Sequence, residues 1–350
     1  MHADDDILKL VTQKAAEVVR RANRGLIVQP GALGDCILTL PLVKYMKQFL
    51  GLDSVDVLGH TEYIGILPGR TCVDGVKSID SVDLHRLFVE AATFDLPDDD
   101  PLINVFADYT WIVTFLGEPG SDFEQNLIFT TNCSHSAEIT TLLTMPEPNS
   151  CEHVADYYIR QLANETGADV PAEIYSPEQV RIKATEADTE TTHELLNNIG
   201  CAFAEQLIVI APGSGGVEKC WHLDNFLAIA EELKRRDRQF LFLLGPAELE
   251  RFDKAEMEQI AAAGPCLSDL NLIRVVGLLS CAECFVGNDS GITHLAAAMG
   301  VNTVAVFGPT EPKLYGPIGP NAITLSNPSP NFAQQASVEL QRKVLEILTS

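Results

Sequence analysis

Cys284-Phe285-Val286-Gly287-Asn288-Asp289-Ser290-Gly291-Ile292-Thr293-His294-Leu295-Ala296-Ala297-Ala298-Met299 passes from a short apolar run, through a turn bracketed by glycines, into a run of small and apolar residues. This is the pattern of strand, turn and helix, and it predicts a βα unit whose turn lies at the carboxyl end of a parallel strand. Asp289 and Ser290 are ordinary helix caps. The same turn aims free backbone N–H groups and the positive end of a helix dipole at whatever lies in front of it, which is a phosphate site in outline. On these residues alone the two readings stand level.

The pattern recurs along the chain. Leu207-Ile208-Val209-Ile210 leads into Pro212-Gly213-Ser214-Gly215-Gly216 and a helix from about Leu223 to Arg236. A strand from Phe240 to Leu244 ends at Gly245-Pro246-Ala247-Glu248, and one from Thr303 to Phe307 ends at Gly308-Pro309-Thr310. In the first half, Leu26-Ile27-Val28 precede Gly31-Ala32-Leu33-Gly34-Asp35 and a helix through Lys47. Further strands are expected at Val55 to Leu58 and Trp111 to Phe115, and a helix at His153 to Thr166. Short buried strands alternating with helices make an α/β fold of parallel sheets covered on both faces. At 350 residues the chain suits two such units. The expected layout is a first Rossmann-like domain at 1–180, with an extra helix at 4–24, and a second at 205–330. An amphipathic helix at 335–350 is expected to pack back toward the domain junction.

Composition narrows the function. Hydrophobic residues make up 46% and charged residues 21%, as in a globular protein with a substantial core. The net charge of −25 argues against nucleic acid as a partner and against broad adhesion to an anionic membrane. With no apolar run of spanning length and an acidic start at Asp4 to Asp6, a cytoplasmic protein is expected. The helix at 4–24 carries Lys9, Lys14, Arg20, Arg21 and Arg24, either as a solvated face or as a peripheral contact with the inner face of the membrane. Nine scattered cysteines fit reduced thiols, and the lone Cys281-x-x-Cys284 pair lacks the companion ligands of a metal site, so no metal is expected.

An anionic ligand must then be met locally. The Pro212–Gly216 turn allows close backbone approach, and Lys219 follows it with a positive charge. No Gly-Lys-Ser/Thr closes a Walker A loop, and Gly31-Ala-Leu-Gly34 departs from the dinucleotide fingerprint. Asp56 nevertheless stands where a ribose-binding acid of a nicotinamide enzyme is sought.

Taken in order, Gly34-Asp35-Cys36-Ile37-Leu38-Thr39-Leu40-Pro41, Pro212–Gly215 with Lys219-Cys220-Trp221, Gly245–Glu248, Asp289–Gly300 and Phe307–Pro312 resemble the family 9 glycosyltransferases. These are the ADP-heptose:lipopolysaccharide heptosyltransferases. The resemblance covers about residues 25 to 60 and 205 to 320. It implies the GT-B fold, in which two Rossmann-like domains face each other across a cleft, the first holding the acceptor and the second the nucleotide sugar. It implies heptose transfer from ADP-heptose to an acceptor hydroxyl in lipopolysaccharide core assembly, by direct displacement with inversion, without a metal or a bound cofactor. The partners are then a nucleotide sugar and a glycan or lipid-linked glycan.

Carried onto this chain, the resemblance makes Asp35 the general base, which otherwise reads as a helix cap, and Lys219 the catalytic cation for the leaving diphosphate. Ser214, Gly215, Ser290 and Gly291 would meet the phosphates, and Glu248 the ribose, where its plain reading is a solvated carboxylate. Asp289 and His294 would shape the turn or touch the donor sugar, where the plain reading of His294 is a satisfied structural histidine. Trp221 is assigned to packing against the Lys219 loop. Where the family carries a basic residue after its middle strand, this chain reads Ile112-Val113-Thr114-Phe115-Leu116-Gly117-Glu118-Pro119-Gly120-Ser121, without Lys or Arg. This departure leaves open another nucleotide sugar, a non-lipopolysaccharide acceptor, or a binding protein without turnover.

Overall fold

The computed structural model describes residues 23–147, 150–168, 170, 175–198 and 206–349. The helix expected at 4–24 lies outside them except for its last two positions, and Arg24 already belongs to the first strand.

Two parallel sheets form the molecule. The first has the order β3-β2-β1-β4-β5, with β1 at Arg24–Gln29, β2 at Ser54–Gly59, β3 at Gly75–Ser78, β4 at Trp111–Thr114 and β5 at Glu138–Thr141. The second has the order β11-β10-β9-β6-β7-β8, with β6 at Leu207–Ala211, β7 at Phe240–Leu244, β8 at Cys266–Ser268, β9 at Ala282–Asn288, β10 at Asn302–Phe307 and β11 at Ala322–Ser326. Each sheet starts in its middle, grows toward one edge and then jumps back to grow toward the other. The strand order therefore reverses between β1 and β4 and again between β6 and β9. In open sheets of this kind ligands bind beyond the carboxyl ends of the strands at that switch point.

The central strands are buried on both faces, and alternate residues feed different cores. Leu26 and Val28 join Phe106, Ile112 and Phe123 on one face of the first sheet, whereas Ile27 turns to the other. In the second sheet Ile208 and Ile210 pack with Phe226, Phe242 and Val306, whereas Leu207 and Val209 turn the opposite way. Ile27 and Val209 belong to one continuous apolar cluster, so the inner faces of the two lobes share a core.

The helices used below are α1 Leu33–Leu38, α2 Leu40–Phe49, α3 Val154–Thr166, α4 Glu186–Asn198, α5 Leu223–Arg235, α6 Pro246–Arg251, α7 Leu272–Ser280, α8 Gly291–Met299 and α9 Val338–Leu348. Pro41 sits in the first turn of α2, where its missing N–H costs nothing. Gly167 closes α3 and Gly300 closes α8 in the left-handed conformation that glycine adopts without strain. No helix among the described residues is long and apolar enough to cross a membrane.

Two expectations about layout change. The last helix does not reach back to the junction: Leu340, Val344 and Leu348 bury against Phe226, Ile229 and Leu233 of α5. Asn225 locks it there, accepting from the Ser337 backbone at 2.7 Å and the Gln341 amide at 2.9 Å. Its apolar stripe finds a matching apolar face on its own lobe. The second lobe also begins earlier than residue 205, because α4 lies flat on α7: a Cβ on Gly277 would sit 2.3 Å from the Asp188 carbonyl. The junction is crossed by extended chain before α4, where Lys183 N–H donates to the Arg70 carbonyl at 2.9 Å and Ile182 N–H to that of Ala298 at 3.0 Å.

Candidate functional site

The two switch points meet. The turn after β1 carries Gly31 to Asp35, and the turn after β9 carries Asp289 to Gly291, so α1 and α8 begin against each other. A Cβ on Gly291 would lie 2.8 Å from Leu33 Cβ and 3.2 Å from the Gly34 nitrogen. Only glycine permits that approach. His294 wedges in beside it, with Cδ2 3.4 Å from where a Gly34 Cβ would be. Asp35, the next residue, is exposed in the first turn of α1. Its Oδ2 accepts from Ala32 N–H at 3.0 Å, so the helix-cap reading holds for one oxygen. Burial raises the Tyr158 phenol, and the charges of Asp35 and Tyr315 add to that.

On the other side, Asn288 is the knot. It is fully buried. Its amide donates to the Pro212 carbonyl at 2.7 Å and its carbonyl accepts from Trp221 N–H at 2.9 Å. One side chain thus ties the turn after β6 and the Lys219–Trp221 segment to the end of β9. Sequence reading passed over it, although it stands inside the turn quoted at the outset. Asn288→Ala would leave both backbone groups buried without partners, and is expected to cost about 2–4 kcal/mol. Urea denaturation checks this as a lower midpoint at unchanged slope.

The predicted donor residues gather around that knot, with altered duties. Ser214 is buried and its hydroxyl donates to the Asp289 carbonyl, which leaves no proton for a phosphate. Ser290 caps α8 by accepting from Thr293 N–H at 3.4 Å, with the Thr293 hydroxyl 3.0 Å away. Lys219 holds Asp289 Oδ2 at 2.9 Å, and His294 Nε2 lies 3.9 Å from the other oxygen. Burial works to raise the Asp289 carboxyl, but His294 and Lys219 together hold it below its ordinary range. Gly215 faces open space, with nothing within 4 Å of an added Cβ. Glu248 is not a solvated carboxylate: it is 8% exposed and accepts from Gly245 N–H at 2.9 Å. Its carboxylate lies directly over Gly213, where an added Cβ would fall 1.7 Å from Oε1. Trp221, expected to pack against the Lys219 loop, packs edge-on against Phe226 of α5 at 5.4 Å.

Two further residues join the site. Arg251, at the end of α6, reaches Cys220 Sγ at 2.8 Å and the Gly215 carbonyl at 3.3 Å. His153 caps α3 through Nδ1, which accepts from Ala155 N–H, while Nε2 donates to the Gly316 carbonyl at 2.9 Å across the junction. That pairing requires the neutral ring, and burial lowers its affinity for a second proton.

Asp56 is elsewhere. It sits opposite Leu26 in the first half of β2, far from the strand ends that bind ligands. There it accepts from the Tyr109 hydroxyl at 2.7 Å and Arg24 Nη2 at 2.6 Å, beneath Lys77 stacked on the Tyr109 ring. A ribose-binding acid would stand at the other end of the strand, so the nicotinamide reading has no residue to carry it.

Comparison with known proteins speaks for the family and the fold. The family described as "Glycosyltransferase family 9 (heptosyltransferase)" matches residues 144–344. Among curated proteins, lipopolysaccharide heptosyltransferase 3 of Escherichia coli is 25% identical over 122 residues, 34% of this chain and 36% of that protein. Lipopolysaccharide heptosyltransferase 1 of Pseudomonas aeruginosa is 32% identical over 126 residues, 35% of this chain and 34% of that protein. The alignment thus spans about a third of these relatives' length. Among solved structures, a family 9 glycosyl transferase from Veillonella parvula superposes with a TM-score of 0.68 at 18% identity, covering 93% of this chain and 97% of that one. The Escherichia coli ADP-heptose lipopolysaccharide heptosyltransferase II gives 0.65 at 15% identity over the same shares. At such identities the structures speak for the fold, and it is GT-B. With the family description matching more than half of its length, this chain belongs to glycosyltransferase family 9.

Proposed function

We propose that this protein transfers a heptose from ADP-heptose to an acceptor hydroxyl, with inversion and without a metal ion. The observation that carries the reading is the meeting of the two switch points, which brings the turn ahead of Asp35 against the start of α8. The acceptor oxygen attacks the anomeric carbon from the face opposite the diphosphate. Its proton passes to Asp35, the bond from the anomeric carbon to the phosphate oxygen breaks, and the electron pair leaves with the nucleoside diphosphate. Charge that builds on the leaving group is met by the N-terminus of α8 and by the basic side chains beside the turn after β6. Glu248 offers its second oxygen to the ribose hydroxyls, and Asp289 with His294 fixes the turn against the donor sugar. The names of the curated relatives support heptose as the sugar.

One observation favours a departure from those relatives. The chain beyond β4, at the first sheet's switch point, carries Glu118 and no cation from Ile112 to Ser121. Repulsion there disfavours an acceptor crowded with phosphates and favours a neutral glycan.

A thermal-shift series with ADP-heptose and with GDP- and UDP-sugars, in the presence of EDTA, tests the donor. ADP-heptose at about 100 times its Kd is expected to add roughly 2.7 kcal/mol of stability. A response to another nucleotide reassigns the donor, and no response to any of them ends the reading.

A further inference from the structure

The chain carries a net charge of −25, and nearly every arginine among the described residues is matched by an acid. Among the described residues only Arg251 and Arg274 have no carboxylate within 4.0 Å. Arg274 is exposed on the surface of α7, whereas Arg251 is half-buried beside the turn after β6. Its partners there are a neutral sulfur, Cys220 Sγ at 2.8 Å, and a backbone carbonyl, Gly215 O at 3.3 Å. These orient the guanidinium without neutralising it. A guanidinium has five N–H donors, so further ones remain for a ligand. The carbonyl it holds belongs to the residue of that turn that faces open space.

Lys219 is placed differently. Its ammonium is 2.9 Å from the buried Asp289 carboxylate, so much of its field is spent on a fixed internal anion. A dianionic leaving group approaching the turn meets a Lys219–Asp289 pair that is close to neutral in sum, and an arginine whose charge is uncompensated.

We propose that Arg251 is the diphosphate-reading residue of this site, gripping the phosphate oxygens of the donor while Lys219 acts chiefly by holding Asp289 and the turn in shape. The inference rests on the nucleotide-sugar reading above and assigns the main cationic contact within it. Arginine suits the task because its planar fork binds two phosphate oxygens at once.

The test compares binding of a nucleoside diphosphate with binding of its nucleoside, using whichever of ADP, GDP and UDP the unaltered protein holds tightest. Isothermal titration of Arg251→Met is expected to show a roughly 10- to 100-fold loss for the diphosphate, as for a charge-assisted hydrogen bond, and no change for the nucleoside. Arg251→Lys is expected to recover part of the loss, and Lys219→Met to weaken diphosphate and nucleoside together through the loosened turn. An equal diphosphate-to-nucleoside ratio in Arg251→Met and the unaltered protein, with both folded by circular dichroism, overturns the assignment alone. Failure of the unaltered protein to bind any of the three diphosphates overturns the donor reading and this inference with it.

Discussion

Asp35→Asn is expected to lower kcat by about 10²- to 10⁴-fold, the usual worth of general-base assistance, with the affinity for the donor nucleotide unchanged. The substitution separates the capping this carboxylate shows from the base duty proposed for it. One oxygen accepts from Ala32 N–H and so holds the first turn of α1. An asparagine carbonyl accepts the same hydrogen bond, so the cap and the shape persist. The amide cannot take a proton from an acceptor hydroxyl. A residue that only capped its helix would lose almost nothing on this change. Asp35→Ala removes both duties and should add a loss of stability of about 1 kcal/mol, as cap deletions do. Single-turnover transfer from ADP-heptose with saturating acceptor reads the chemical step directly. Activity within a few-fold of the unaltered protein would leave Asp35 a helix cap and nothing more.

Asp188→Ala is expected to destabilise the protein by about 3–5 kcal/mol, because it strands a charged guanidinium in the junction between the lobes. Arg70 leaves the first lobe ahead of β3 and meets Asp188 on α4 through two bonds, Nε to Oδ2 at 2.8 Å and Nη2 to Oδ1 at 2.6 Å. The acid is 3% exposed and the base 14%, so water screens the pair little. The Arg70 hydrogen bonds, against the cost of burial, bring the Asp188 carboxyl down from its ordinary 3.8 to about 2. A carboxyl depressed in the folded state contributes stability that is fully present above its unfolded value and is lost as pH falls through its folded value. The unaltered protein should therefore shed this contribution between about pH 5 and pH 2, whereas Asp188→Ala, having none to shed, should show a shallower acid limb over that window. Denaturant unfolding at a series of pH values measures both. Coincident acid limbs would show that the pair does not carry the junction.

How much was legible in the sequence depended on burial. Leu207–Ala211 and Phe240–Leu244 are buried at every position and read as strands without help. The four strands passed over, β3, β5, β8 and β11, all lie at or next to a sheet edge. Gly75-Val-Lys-Ser is half-exposed throughout, and Glu138-Ile-Thr-Thr is exposed at its start. An edge strand covers only part of its surface, so its residues need not be apolar, and hydropathy carries no mark of it. The glycine turns after β1, β6 and β9 were legible as turns at the carboxyl ends of strands because glycine and cap chemistry are local. The wrong helix placement at the carboxyl end has the opposite cause: an amphipathic stripe shows that a helix is covered, without saying by what.

The sequence alone determined the alternation of strand and helix, the glycine turns and the kinds of side chain beside them, since each follows from neighbours a few residues apart. Only the tertiary structure decided what those side chains do. Ser214 and Asp289 are 75 positions apart, as are Gly213 and the Asn288 side chain that holds its turn. Whether a hydroxyl serves a phosphate or a distant carbonyl, and whether a lysine or an arginine keeps its charge for a ligand, depends on which partner folding brings within 3 Å or so. Local chemistry offers the donors and acceptors; long-range packing spends them.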